Sequence, residues 1–146
     1  MTIDDEAERA RADFPRVIGH LSADIDRYVT ANHGDAVQAG PFAGMRMVAR
    51  QPGGFSTPGL IGAYERELHD VLERLIASGG YDRVVNVGAG EGYYAVGLAR
   101  RLPDIPIIAF EADDALPPVL RANARANGVG ERVTINGRGL YRLALD

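Results

Sequence analysis

The sequence contains no cysteine and has no long apolar run. The lack of cysteine excludes a disulfide framework, a thiolate nucleophile and a zinc site with cysteine ligands. No apolar stretch approaches the roughly 18–20 residues of a membrane span. The acidic N-terminus also lacks the apolar core of a signal peptide. We therefore predict a cytoplasmic protein with no membrane partner.

Positive charge is sparse as well. The 146 residues include 16 Lys and Arg against 20 Asp and Glu, which gives a net charge of −4. Tight binding to a nucleic-acid backbone needs clustered basic side chains, and the basic residues here are scattered along the chain. We therefore predict no nucleic-acid partner.

The first part of the chain, residues 1–57, is predicted to be a helical and loop region. Apolar residues three and four apart predict helix over 1–38, with one face formed by Val17, Leu21, Ile25, Tyr28 and Val29. Glycine and proline in 39–59 predict a loop with one short strand, Met45–Ala49. A helix over Pro58–Ser78 is expected next, capped by Thr57 and ended by Gly79-Gly80.

The second part, residues 58–146, is predicted to continue as alternating strands and helices. The expected strands are Arg83–Val87, Ile107–Glu111 and Val133–Ile135, and the helices between them are Tyr93–Leu102 and Asp114–Asn127. Short connections between such elements predict a parallel sheet with right-handed crossovers. Because the strands are apolar and do not alternate, we expect both faces of the sheet to be covered. Gly139–Asp146 could begin a further helix.

Three alternate glycines follow the first predicted strand. Gly88 would allow a sharp turn, Gly90 would let a ligand approach bare backbone, and Gly92 would let the next helix start close to the sheet. Glu111 ends the neighbouring strand, where a carboxylate can accept hydrogen bonds from a ribose diol. The pattern predicts a nucleotide-sized site at the carboxyl end of the sheet.

The spacing of this loop discriminates between ligands. A dinucleotide site typically reads G-x-G-x-x-G, with the pyrophosphate at the helix N-terminus. Here the third glycine is Gly92, and Tyr93 stands where that pattern has glycine. Glu91 adds a negative charge, which is unfavourable for a phosphate and acceptable for an ammonium. A nucleoside with a zwitterionic amino-acid tail therefore fits the loop better.

The segment Val85–Gly92 resembles the first motif of Rossmann-like, class I S-adenosylmethionine-dependent methyltransferases. The flanking sequences Gly62–His69 and Glu91–Ala99 are similar to the FkbM-type branch of this family. Leu120–Val129 is similar to the segment after the second strand in such enzymes. The resemblance covers roughly residues 40–137. Asn86 departs from the pattern, because many members have Asp there.

The resemblance implies S-adenosylmethionine as cofactor and assigns roles to matching positions. Gly88, Ala89 and Gly90 would line its methionine part, Glu111 would hold the ribose hydroxyls, and Ala112 and Asp113 would lie beside the adenine. Asn136 and Gly137 could approach the adenine edge. The predicted cofactor-binding residues are Asn86, Gly88, Ala89, Gly90, Glu91, Gly92, Tyr93, Glu111, Ala112, Asp113, Asn136 and Gly137.

The resemblance also implies a seven-stranded sheet, of which this sequence supplies the first three strands. We therefore expect an α/β chain that forms the N-terminal half of a Rossmann-like methyltransferase fold, either truncated or completed by a second copy or a partner chain. The outer edge of the strand at Val84 would be bare, which favours association. Whether the chain is active alone stays open.

Simpler explanations compete at several residues. Glu65 and His69 would share a helical face, but no third ligand is evident, so no metal site is predicted. His69 is a weak candidate for a catalytic base, and the catalytic residues are otherwise unknown. Tyr64, Tyr93 and Tyr94 are assigned to the core first, with Tyr93 the best site candidate.

The leading hypothesis is methyl transfer to a small-molecule hydroxyl. The alternatives are a non-catalytic S-adenosylmethionine-binding module or remnant, and an NAD(P)-binding oxidoreductase half-domain.

Overall fold

The computed structural model describes residues 21, 23–51 and 56–137 of the chain. Its N-terminal part contains helix α1 at residues 23–33, the short helix α2 at Ser56–Ile61, a 3-10 turn at Arg66–Leu68, and helix α3 at His69–Ser78. After α1, residues 34–51 run through turns and one isolated antiparallel bridge, Ala36 to Arg46.

The C-terminal part is a parallel sheet with helices on its crossovers. Strands β1 (Val84–Val87), β2 (Ile107–Phe110) and β3 (Val133–Asn136) pair in the order β1-β2-β3. Helix α4 (Tyr93–Arg101) connects β1 to β2, and helix α5 (Leu116–Ala126) leads through a 3-10 turn to β3. The predicted α/β architecture of three parallel strands with flanking helices is confirmed.

The core lies between β2 and helices α4 and α5. Helices α4 and α5 each bury one face in this core, and the most deeply buried residues there are Ala95, Val96, Ala99, Leu120 and Ala124. The segment before α2 packs on the same core, because Phe42 lies directly over Gly97. A Cβ built on Gly97 would lie 2.4 Å from the Phe42 ring, so only glycine fits there.

The predicted helix over 1–38 is wrong at its end. Helix α1 stops at residue 33, where Gly34 takes the left-handed backbone (φ 74°) of a helix C-terminus. Of its predicted apolar face, Val29 is buried, whereas Leu21, Ile25 and Tyr28 are exposed. Residues 1–20, including Val17, lie outside the described residues.

The short strand predicted at Met45–Ala49 is also wrong, because Arg46 makes only the isolated bridge with Ala36. This segment instead exchanges hydrogen bonds with the side chains of Asn123 on α5 and of Asn127 directly after it, as described below.

The single helix predicted over Pro58–Ser78 is divided in two. Gly62 (φ 75°) breaks it because the backbone of Ala39 passes so close that a Cβ at Gly62 would lie 2.1 Å from its carbonyl oxygen. Thr57 is not the N-cap, since α2 begins at Ser56, and its hydroxyl bonds to the Asp26 carboxylate. The predicted end at Gly79 is confirmed (φ 60°).

Strand β1 is less covered than predicted. The side chains of Val85 and Val87 are 40% and 64% exposed, because one face of β1 carries no layer within the described residues. The expectation that both faces are covered is therefore wrong for β1. Within the same residues, no helix is long and apolar enough to cross a bilayer. The helix considered for Gly139–Asp146 lies outside the described part.

Candidate functional site

The glycine loop begins where β1 ends and is tied to the end of β2. The N–H groups of Gly88 and Ala89 donate to the carbonyl of Phe110 at 2.9 and 3.0 Å. A Cβ built on Gly90 (φ 56°) meets no atom within 4 Å, so the backbone there faces open space. At Gly92 (φ 98°) a Cβ would lie 3.0 Å from Leu120 and 3.1 Å from Val96. The expected division between an approachable and a closely packed glycine matches this geometry.

The Glu111 carboxylate holds two loops in place. It is 8% exposed, and its Oε2 accepts the Gly90 N–H at 2.7 Å while its Oε1 accepts the Asp113 N–H at 2.7 Å. A carboxylate has about four lone-pair sites, so Glu111 keeps acceptor capacity for a further donor. Its role toward ribose hydroxyls stays a prediction.

A cavity of about 230 Å³ lies beside the loop. Five predicted site residues line it, namely Gly88, Ala89, Gly90, Glu91 and Tyr93, and four further lining residues are Gln51, Tyr64, Tyr94 and Leu116. Pockets that enclose a drug-sized ligand typically hold roughly 300–1,000 Å³. The cavity is therefore large enough for one part of a nucleoside-containing ligand.

The remaining predicted residues lie outside the lining of this cavity. Gly92 packs under the loop, and Ala112 and Asp113 follow Glu111 at the end of β2. Asn136 ends β3, where its carbonyl accepts the Glu111 N–H at 2.9 Å, and Gly137 follows it. The Oδ1 of Asn86 is buried and accepts no hydrogen bond from the described residues.

Glu91 is a charged residue that lines the cavity and is nevertheless buried. It is 5% exposed, its Oε1 accepts the Gln51 N–H at 2.6 Å, and its Oε2 is buried with no hydrogen-bond donor among the described residues. Burial raises the pKa of the Glu91 carboxyl, whereas the Gln51 N–H and the charge of Arg50 act in the opposite direction. Removing this carboxylate from water is costly unless a cation or donor compensates for it.

Asn123 on α5 positions the segment that covers Glu91. It is fully buried, its Nδ2 donates to the carbonyls of Ala49 (2.8 Å) and Glu91 (2.9 Å), and its Oδ1 accepts the Ala49 N–H at 2.9 Å. One turn later, Asn127 bonds to both the N–H and the carbonyl of Arg46, at 2.9 and 2.7 Å. The two side-chain amides thus form hydrogen bonds to the backbone of residues 46–49, as a neighbouring strand would.

Aromatic rings form one side of the cavity. Tyr64, Tyr93 and Tyr94 contact one another with ring centroids 5.4–6.0 Å apart, and Phe42 packs edge-on against Tyr93 at 5.2 Å. The Tyr94 hydroxyl donates to the Glu65 carboxylate. Burial, together with that hydrogen bond, raises the pKa of Tyr94, so its hydroxyl stays neutral. The three tyrosines belong to both the core and the cavity wall.

His69 and Glu65 do not share a helical face, so that prediction is wrong. Glu65 precedes the 3-10 turn with φ 44°, whereas His69 begins α3 and places Nε2 3.0 Å from the carbonyl of Tyr64. His69 does not line the cavity. The part of the chain that the structure describes holds no group of three His, Asp or Glu side chains arranged to bind a metal.

Sequence comparison finds relatives of one functional class. The chain is 38% identical over 73 residues to release factor glutamine methyltransferase from Chlorobaculum tepidum, covering 47% of this chain and 25% of the relative. It is 32% identical over 68 residues to type II methyltransferase M.XamI from Xanthomonas campestris, covering 47% and 13%. It is 30% identical over 66 residues to ribosomal protein L11 methyltransferase from Rhizobium rhizogenes, covering 45% and 22%. The chain thus spans a quarter or less of the length of these relatives.

Structure comparison gives similar partial matches. The O-methyltransferase TomG from Streptomyces achromogenes, solved in complex with SAM, matches with a TM-score of 0.42 and 24% identity over 53% of this chain and 34% of TomG. The S-adenosylmethionine-dependent methyltransferase SibL matches with a TM-score of 0.39 and 27% identity, over 56% of this chain and 26% of SibL. No family model matches the chain. On the sequence relatives, this chain is related to methyltransferases over about half of its length.

Proposed function

We propose that the chain binds S-adenosylmethionine at its glycine loop and forms the cofactor-binding part of a methyltransferase. The observation that carries the proposal is the cavity at the end of β1, bordered by the bare backbone of Gly88–Gly90. Ligands of open parallel sheets bind at the carboxyl ends of the strands. The sequence relatives, all methyltransferases, support this choice of ligand class.

The described residues fit such a cofactor in two parts. The backbone of Gly88–Gly90 would hold the methionine part within the cavity. Glu111 would accept the ribose hydroxyls with its remaining lone pairs, and Ala112 and Asp113 would lie beside the adenine. Asn136 and Gly137 would then approach the adenine edge from β3.

Glu91 argues against a dinucleotide at this loop. Its carboxylate lines the cavity and keeps one oxygen without a donor among the described residues. A pyrophosphate placed there would meet a buried negative charge, and like charges at short range repel strongly in a poorly solvated site. S-adenosylmethionine would instead bring positive charge to this carboxylate.

Bound S-adenosylmethionine would supply a methyl group on a positively charged sulfur, leaving the neutral thioether after transfer. The chain's residues would align that group and exclude water from it, since alignment and electrostatics dominate such displacements. The acceptor proposed from the FkbM-type resemblance is the hydroxyl of a small molecule. No catalytic base is assigned, and a cytoplasmic location stays a prediction.

Calorimetric titration tests the proposed ligand class. Because the loop suits a zwitterionic amino-acid tail and not a pyrophosphate, we expect the purified chain to bind S-adenosylhomocysteine and to give no heat with NAD. Binding of NAD alone would favour the oxidoreductase alternative. Binding of S-adenosylhomocysteine without methylation of any extract component would favour the non-catalytic module.

We also propose that the outer edge of β1 pairs with a second copy of the chain. Among the described residues β1 pairs on one side only, with β2, and an unpaired apolar edge favours strand addition, which a lysine on the edge strand opposes. We expect a dimer in light scattering at micromolar concentration, and Val85→Lys should convert it to a monomer.

Val48→Lys is the matched control for the dimer, since Val48 is 43% exposed and lies outside the sheet. This variant should remain dimeric. A monodisperse monomer of the unmodified chain would contradict pairing through β1.

A further inference from the structure

We propose that Glu91, with the rings of Tyr64 and Tyr94, recognises the positively charged sulfur of the cofactor, so that the site binds S-adenosylmethionine more tightly than its demethylated product. This inference rests on the proposed function and adds a specificity-determining role for these residues.

One oxygen of the Glu91 carboxylate accepts no hydrogen bond from the described residues. Glu91 is 5% exposed and lines the cavity, and its Oε2 has no donor within the described residues. The charge of Arg50 acts on Glu91 and works to lower the pKa of its carboxyl. The Arg50 guanidinium donates Nη2 to the Thr30 hydroxyl at 2.9 Å, however, and no hydrogen bond joins it to Glu91 in the described part. A buried carboxylate oxygen without a donor is unfavourable, and a cation bound in the cavity would add to the partial compensation that Arg50 gives.

The lining of the cavity determines which kind of cation it suits. An ammonium carries three N–H donors and needs several acceptors around it. A sulfonium carries positive charge but no donor, and aromatic rings stabilise such cations. Tyr64 and Tyr94 line the same cavity as Glu91, and the Tyr94 hydroxyl is already used by Glu65. A carboxylate oxygen without a donor and two rings in the lining of one cavity therefore suit a sulfonium better than an ammonium.

Rigid support on both sides of Glu91 keeps the carboxylate in place. Its Oε1 is held by the Gln51 N–H at 2.6 Å, and its backbone carbonyl is held by Asn123 at 2.9 Å. The carboxylate therefore cannot turn toward solvent without breaking a short hydrogen bond. Such preorganisation is what makes a fixed charge effective toward a ligand charge.

Calorimetry with two ligands tests the inference. For the unmodified chain, the Kd of S-adenosylmethionine should be below that of S-adenosylhomocysteine. Glu91→Gln keeps an oxygen for the Gln51 N–H but removes the charge. We expect it to raise the Kd of S-adenosylmethionine by about tenfold or more, because a buried charge pair at a few ångströms is strong. The Kd of S-adenosylhomocysteine should change by less than about threefold.

Two further variants serve as controls. Glu67→Gln removes a charge from an exposed residue outside the cavity lining and should leave both Kd values unchanged. Tyr94→Leu should lower the preference for S-adenosylmethionine over S-adenosylhomocysteine. Tyr94→Phe keeps the ring and should therefore retain this preference. A thermal melt of each variant checks that it folds.

The outcomes separate this inference from the proposed function. If the unmodified chain binds neither ligand, the proposed function fails. If it binds both and Glu91→Gln weakens them equally, or weakens neither, the cofactor site stands and the recognition of sulfur by Glu91 is overturned.

Discussion

Replacing Gly90 with alanine should abolish most of the affinity for S-adenosylhomocysteine while leaving the fold intact. Gly90 lines the cavity, and a Cβ built on it meets no protein atom within 4 Å. The added methyl group would therefore occupy cavity space that the bound S-adenosylhomocysteine would fill. We expect the Kd to rise by roughly tenfold or more, equivalent to ~1.4 kcal/mol of binding free energy, in a calorimetric titration.

Gly80→Ala is the matched control for backbone strain. Gly80 has φ 77° and Gly90 has φ 56°, and a Cβ at either residue meets nothing within 4 Å. A left-handed backbone costs a residue with a Cβ about 1–2 kcal/mol, so both variants should lose similar stability. Only Gly90→Ala should lose affinity. Equal affinity of the two variants would show that the ligand does not approach the backbone of Gly90.

Replacing Asn123 with alanine should cause the largest loss of stability among the polar residues near the site. The variant removes the side-chain partner of three backbone groups, namely the half-buried N–H and carbonyl of Ala49 and the buried carbonyl of Glu91. At about 1 kcal/mol for each lost bond, the free energy of unfolding should fall by about 3 kcal/mol and Tm by roughly 10 °C. Thermal and urea unfolding measure both quantities.

Asn127→Ala is a control that loses the same number of hydrogen bonds. Asn127 bonds to the N–H and carbonyl of Arg46 and to the carbonyl of Asn123, but it is half-buried, so water can replace its partners. Its loss should be about 1 kcal/mol. Equal destabilisation by the two variants would refute a special role of burial at Asn123. Asn123→Ala should also lower cofactor affinity, because Gln51 and Glu91 would lose their support.

Regular alternation made the C-terminal part of the fold predictable. Apolar strands, short connections and the glycine loop are local signals, and the strands and helices begin and end within a few residues of their predicted positions. The helix break at Gly62 was not predictable in this way. It arises because the backbone of Ala39 passes against Gly62, which no spacing within 58–78 reveals.

The residues of the candidate site were likewise predictable where a local motif specifies them and not where distant contacts do. Gly88, Ala89, Gly90 and Glu91 follow from one continuous motif, and they do line the cavity. Gln51 was missed because its position depends on the hydrogen bond to Glu91, 40 residues away. Tyr64 and Tyr94 were assigned to the core, and a sequence pattern does not distinguish a buried ring from one that also borders a cavity.

A titration of the ¹⁵N-labelled chain with S-adenosylhomocysteine, followed by NMR, tests the central claim most directly. We expect the largest amide shifts on Gly88–Glu91 and on Glu111–Asp113, the segments that follow the paired strands β1 and β2. Shifts confined to another cavity, which has a volume of about 180 Å³ and is lined by residues that include Arg121 and Glu131, would contradict the proposed site. So would a spectrum that does not change at millimolar ligand.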